Sequence, residues 1–209
     1  MGILVQHAFG AEYERMLRIG SPSTQKWCFE QGWTHIPLTD QVYPAPFGYS
    51  SVGLIAFTHY LLKICIGEEA ALMDVDMLNV KSRERISGLL KANDLVVHGN
   101  QNFSSCGFMA VRNTGKVREF LLKVLTDGRA RDTNDDISAR LHLNLMEEKK
   151  KPDGLKFTHL DDRWNWYDKY FGCEKLVTHP RGEAINVAFH GMNMLKRITM
   201  MDKLSKEIA

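Results

Sequence analysis

Two aspartates one residue apart, Asp74 and Asp76, close the run Ala-Ala-Leu-Met-Asp-Val-Asp at 70–76. In an extended chain residues i and i+2 point the same way, so the two carboxylates can share one cation. Their hard oxygens suit Mg²⁺ or Mn²⁺, and such an ion keeps waters and takes further ligands from substrate phosphates. Paired acids also occur in ordinary solvated turns. The apolar strand directly before this pair favours the metal, because ligands of open α/β sheets bind at the carboxyl ends of strands. A second group lies far along the chain. Asn186-Val-Ala-Phe-His-Gly ends in His190 and Gly191, with Lys196 six residues after the histidine. A neutral imidazole is a good third ligand for Mn²⁺. Glycine lets backbone approach a phosphate closely, and a lysine ammonium neutralises a diphosphate. The plain alternative is a capping histidine followed by a surface lysine.

These groups need strands to deliver them, and the pattern supplies several. Gly2 to His7 is a short apolar run that predicts a buried first strand. Ser21-Pro22-Ser23 predicts a helix start, with Gly32 ending that helix after Gln31. Thr34–Leu38 predicts a strand, and the Pro- and Gly-containing stretch 40–48 a loop. A helix is expected over Ser50–Ile66, closed by Gly67, and Ala70–Met73 is the strand that runs into Asp74. Further helices are expected at Ser82–Lys91, Lys116–Leu125 and Asp135–Met146, and from Met194. Further strands are expected at Asp94–Val97, Cys106–Val111, Lys156–His159 and Ile185–Phe189. Strands alternating with helices imply an α/β fold, with a mostly parallel central sheet flanked by helices. With 209 residues, no repeat and no low-complexity linker, one domain over 1–209 is expected.

Bulk properties exclude several classes. A formal net charge of +2 argues against a nucleic-acid binder that works through bulk charge. No run approaches the ~18 apolar residues of a membrane span, so no integral membrane segment is expected. The four cysteines form no CxxC pair, which argues against a zinc site and for a reducing compartment. The opening MGILVQHAFG is too short and polar for a signal peptide, and it lacks the Ser or Thr at position 6 that myristoylation needs. A cytoplasmic protein is expected. The C-terminal stripe Met194, Leu195, Ile198, Met201 and Leu204 fits packing on its own domain better than lying on a membrane surface.

Five blocks occur in order: Met73-Asp-Val-Asp-Met-Leu, Cys106-Gly-Phe-Met-Ala-Val-Arg-Asn-Thr, Asn134-Asp-Asp-Ile, Leu160-Asp-Asp-Arg-Trp-Asn, and His190-Gly with Lys196. The series resembles the GT-A-fold glycosyltransferases, which are metal-dependent through a D-x-D motif and use nucleotide-sugar donors. The resemblance is scattered over nearly the whole chain. It implies a single GT-A-like, Rossmann-like domain, with residues 1–100 as the nucleotide-binding half and 101–209 as the acceptor-binding half. It implies a hexosyltransferase-type reaction, in which a sugar moves from a nucleotide-diphosphate donor, UDP by resemblance, to a hydroxyl of a glycan or glycoprotein acceptor. Mn²⁺ or Mg²⁺ would bridge the D-x-D and the diphosphate.

The resemblance also implies roles. Asp76 would bind the metal, Asp74 the metal or the donor ribose, and His190 would be the third ligand. Lys196 would hold the diphosphate beside Gly191. His7, Ala8, Phe9 and Tyr13 would form the base and ribose pocket. Ser105, Cys106 and Gly107 would lie beside the transferring sugar, and Trp164 and Asn165 would line the acceptor side. Asp135 and Asp136 would face the sugar or acceptor hydroxyl. An inverting enzyme needs one carboxylate as base. Asp136 comes first, then Asp135, then Asp161 or Asp162; a retaining enzyme needs none in that place. Asp135 equally fits a helix cap. The chain departs from the family pattern in two places: Gly191 follows His190 at once rather than three residues later, and Asp135-Asp136 replaces the usual Asp-Gln. His59 and Lys63 are candidates for a basic residue before the D-x-D. Two other readings compete. One is a non-catalytic nucleotide-sugar-binding domain of a larger protein. The other is a D-x-D phosphohydrolase, which Leu78 and the late position of the motif oppose.

Overall fold

The computed structural model describes residues 2–39, 49–80, 84–128, 136–167, 184–189 and 193–208, the side chains at 49–52, 136, 166 and 167 excepted. In chain order the elements are β1 (Gly2–His7), α1 (Ala11–Gln31), β2 (Trp33–Leu38), α2 (Tyr49–Lys63), β3 (Glu69–Met73), β4 (Met77–Asn79), α3 (Ile86–Leu89), β5 (Leu95–Asn100), β6 (Phe103–Arg112), α4 (Gly115–Thr126), α5 (Asp136–Glu148), β7 (Phe157–Leu160), a 3₁₀ turn at Asp162–Asn165, β8 (Trp166–Tyr167), β9 (Asn186–Ala188) and α6 (Met194–Ile208). Six strands form a sheet in the order β2-β1-β3-β6-β5-β7, and β4-β9-β8 form a small second sheet. In the large sheet β6 alone runs against its neighbours β3 and β5; the other pairings are parallel.

Strand alternation sorts the core into two layers. Val5, Ala70, Leu72, Leu95, Val97, Met109 and Val111 face α2, α4 and α5, which contribute Phe57, Leu61, Phe120, Leu121, Leu141 and Leu145. The intervening Leu4, Ala71, Met73, Val96, Phe108 and Ala110 face the other way, against Trp27 and Cys28 of α1, Ile86 of α3 and Trp164. A sheet covered on both faces needs apolar residues at consecutive positions, which is why β1 and β3 read as continuous apolar runs. A third cluster joins α1 to α6 through Met16, Leu17, Ile198, Met201 and Leu204. Met194, Ile198, Met201 and Leu204 of the C-terminal stripe therefore pack on the protein itself, while Leu195 is exposed.

α1 carries the chain from β1 to β2 on one face of the sheet, while α2 leads into β3 on the other. β1 and β3 are adjacent, so the carboxyl ends of these two strands form a topological switch point. In open α/β sheets that is where a ligand crevice opens.

Most elements follow the sequence pattern, but β4 and β8 were not expected and three expected elements differ. α1 begins at Ala11 rather than at Ser21, and Pro22 lies inside it. Beyond the first turn Pro gives up one helical hydrogen bond, and near Pro22 Ser23 and Thr24 both donate their hydroxyls to the Gly20 carbonyl. The expected helix at 82–91 is described only over Ile86–Leu89. β5 and β6 are longer than their apolar cores, because Gly99, at φ 144°, helps turn a hairpin there, where any side chain would run into the Phe103 carbonyl. The loop expected at 40–48 lies outside the described residues.

Candidate active site

The D-x-D begins where β3 ends. Asp74 donates its backbone N–H to the Gly107 carbonyl at 2.9 Å, tying the loop to β6. From β1, the fully buried Gln6 donates its side-chain amide to the Asp74 carbonyl at 3.1 Å. Behind it, His35 of β2 lies 2.9 Å from Gln6 Oε1. Gln6 uses its N–H₂ on Asp74, so its oxygen is the acceptor and His35 Nε2 carries the proton. Burial pushes His35 down to about 4, which keeps that imidazole neutral. A chain of neutral groups thus fixes the backbone on which Asp74 sits.

Gly107 marks a close approach within the site. A methyl group there would lie 2.9 Å from Asn165 Nδ2, and 3.4 Å from both Asp74 Oδ2 and Ser105 Oγ. The Asp74 carboxylate, the Ser105 hydroxyl and the Asn165 amide therefore gather around one bare stretch of backbone. Asn165 is fully buried and donates to His98 Nδ1 at 3.1 Å. That leaves the proton of a neutral His98 on Nε2, which faces Asp162 Oδ1 at 3.9 Å. Asp161 is held in a fork by Arg163, at 2.8–3.1 Å. Asp162 thus reaches the Gly107 cluster through His98.

Asp76 sits deeper. Only 3% of it is exposed, against a half-buried Asp74. Its Oδ2 accepts from Arg197 Nη1 of α6 at 2.8 Å. Its carbonyl accepts from the Phe189 N–H at 3.0 Å. The chain thus leaves β9 beside Asp76 just before His190. His190 and Gly191 themselves lie outside the described residues, as does Asp135; Asp136 opens α5, with its side chain not described. Among the described residues no three His, Cys, Asp or Glu side chains form a metal cage.

The remaining candidates fall into two groups. His7 ends β1, and Ala8, fully buried, donates its N–H to the Leu38 carbonyl at 2.8 Å. Phe9 follows half-buried, and Tyr13 packs on the α1–α6 cluster. All four lie at or just beyond the end of β1, at the switch point. Lys196 is exposed in the opening turn of α6, where Asn193 Oδ1 caps its N–H at 3.0 Å. Ser138 of α5 accepts from the Cys106 N–H at 3.3 Å, which brings the start of α5 to the Gly107 side of β6. Cys106 itself points into the core.

Trp164 is core rather than lining: it is 3% exposed and stacks near Phe108 and Trp27, at 5.1 and 6.2 Å between ring centroids. Arg112 and Asn113, part of the quoted series, are structural. Asn113 Nδ2 donates to the carbonyls of Leu61, Ile64 and Cys65 and closes the end of α2. Gln6, His98 and Arg197 were not singled out by the sequence.

No family model matches the sequence, and no curated protein matches it either. Solved structures do match. A glycosyltransferase involved in glycosylation of the major capsid of PBCV-1 superposes with a TM-score of 0.67 at 13% identity, over 97% of this chain and 98% of that one. The fold is that of the GT-A glycosyltransferases. The galactosyltransferase LgtC, in complex with donor and acceptor sugar analogs, shares that GT-A fold with a TM-score of 0.60 at 11% identity, over 100% of this chain and 96% of that one. Mouse xyloside xylosyltransferase 1 gives a TM-score of 0.55 at 8% identity, over 91% and 98%. Among the described strands of the large sheet β6 alone is reversed, and it brings Gly107 against Asp74, just past the end of β3, where the candidate site assembles.

Proposed function

We propose that the protein is a glycosyltransferase that takes a sugar from a nucleotide-diphosphate donor, with UDP as the nucleotide, and passes it to a hydroxyl of a glycan or glycoprotein. The observation that carries this reading is the convergence at the switch point. Asp74, Gly107 and the Ser105–Asn165–His98 network meet at the carboxyl ends of β1 and β3, with Asp76 two residues further on and paired to Arg197, in a fold that solved sugar transferases share.

The residues fit a divalent cation in chemistry. Asp74 and Asp76 offer hard oxygens from one loop, and the Phe189–Asp76 hydrogen bond leads the chain toward His190 as third donor. When bound, Mn²⁺ or Mg²⁺ supplies charge stabilisation for the departing nucleoside diphosphate. Lys196 does the same from the opening turn of α6, a helix end that already favours anions. His7, Ala8, Phe9 and Tyr13 hold the base and ribose. Gly107 admits the sugar ring where any side chain would crowd Asn165 and Asp74, and Gly191 gives the diphosphate close approach to backbone. For an inverting transfer Asp136, at the start of α5, takes the proton of the acceptor hydroxyl, with Asp135 beside it in the second position; a retaining transfer needs no base there. On this reading residues 1–100 are the donor half and 101–209 the acceptor half.

The test is release of UDP or GDP from a panel of nucleotide sugars with Mn²⁺ present, with and without simple sugar acceptors. Metal-dependent release from one donor, abolished by a chelator, is expected. No release from any donor, together with tight binding of one, would instead favour a non-catalytic nucleotide-sugar-binding domain.

A further inference from the structure

Asp76 and Arg197 are 121 residues apart in sequence and form an ion pair at 2.8 Å, with side chains only 5% and 16% exposed. A carboxylate this buried needs a cation beside it. A guanidinium cannot give up its proton, so Arg197 keeps its positive charge when a second cation arrives at Asp76. We propose that Arg197 is a built-in counter-cation for Asp76 which a divalent metal has to displace, so that loading the D-x-D with metal frees the opening turn of α6. The proposal rests on the metal-dependent reading above.

Two further features make Arg197 a displaceable partner. First, it lies in the opening turn of α6, which holds no acidic residue. The helix dipole opposes a positive charge at that end, and the Asp76 carboxylate offsets that cost. Second, Lys196 occupies the same turn, capped by Asn193. Once Arg197 leaves Asp76, two cations stand at a helix start, a place that favours an anion such as a diphosphate. A metal that takes Asp76 thus creates the phosphate site, and a phosphate that holds Arg197 clears Asp76 for the metal. The two ligands are coupled, each raising the affinity of the other.

The experiment is a Mn²⁺ titration followed by the electron paramagnetic resonance of the free ion, on the wild type and on Arg197→Gln, each with and without UDP. Without UDP the variant is expected to bind Mn²⁺ about tenfold more tightly, since the competing charge is gone. UDP is expected to tighten Mn²⁺ binding more in the wild type than in the variant. Equal or weaker Mn²⁺ affinity in Arg197→Gln, with binding present in both proteins, overturns the role of Arg197 and leaves the transferase reading standing. Absence of Mn²⁺ binding in both proteins even with UDP removes that reading and the proposal with it. Should the variant fail to fold, amide exchange on the wild type decides. Mn²⁺ alone is expected to speed exchange in the opening turn of α6, and unchanged or slower exchange there contradicts the proposal.

Discussion

His35 shows how a residue that touches no substrate can matter to the site. It donates to Gln6, and Gln6 donates to the carbonyl of Asp74. Burial lowers its pKa from 6.5 to about 4. Between those values the unfolded chain binds a proton that the folded chain refuses. Stability is therefore full above about pH 6.5 and falls as the pH drops from there toward 4, levelling off below. His142 and His159, which share the Ser104 hydroxyl, are also held low, each first by burial, and act in the same direction. Melting temperature against pH, measured for the wild type and for His35→Gln, is expected to show a shallower acid limb in the variant. Two superimposable curves would contradict the assignment. At this scale the sequence revealed the acids but not their supports. Asp74 and Asp76 announce themselves by following an apolar strand. Gln6, His98 and Arg197 take their meaning from partners 68, 67 and 121 residues away, and no local pattern encodes such a contact.

Among the elements, α1 shows where local reasoning fails and why. Ser-Pro-Ser at 21–23 is a good helix start by local rules, yet the helix already runs from Ala11. Tertiary packing overrides the proline: Met16, Leu17 and Gly20, all before it, are buried against the small sheet and α6. A methyl at Gly20 would sit 3.3 Å from both Leu78 Cδ2 and the Met77 carbonyl, so the N-terminal half of the helix lies directly on β4. Pro22 is exposed and makes no use of its ring in the core. Pro22→Ala restores a helical N–H and is expected to stabilise the fold by about 1–3 kcal/mol. Thermal unfolding checks this: a melting point several degrees higher is expected, and a lower one would mean that the proline is needed where it stands. Apart from α3, the other helices and most strands were legible because their apolar periods are clean, as in Val117, Phe120, Leu121 and Val124 of α4. The two- and three-residue strands β4 and β8 were not, because so short a segment has no period to read and exists only through β9.

For the whole molecule, the alternation of strands and helices was enough to predict an α/β fold with a mostly parallel sheet, because each buried strand carries its own apolar run. The strand order was not legible. That β3 lies beside β1, and that β6 is the one reversed strand, depends on long-range pairing. These two facts create the switch point and bring Gly107 to Asp74. Among the described residues no helix is long and apolar enough to cross a membrane.

The central claim is that this crevice holds a nucleoside diphosphate through a divalent cation on the D-x-D. Asp74 is the better residue to test it. Asp76→Ala would also break the ion pair with the half-buried Arg197, whereas Asp74 is half-buried at the Gly107 opening. The measurement is calorimetric titration of UDP and GDP into the wild type and Asp74→Asn, with and without Mn²⁺. The account predicts that one nucleotide, UDP, binds the wild type only with Mn²⁺, and that Asp74→Asn loses at least about tenfold of that affinity, a change of ~1.4 kcal/mol, while remaining folded. Failure of both nucleotides to bind the wild type with Mn²⁺ present, or binding of UDP unchanged by Asp74→Asn, would contradict it.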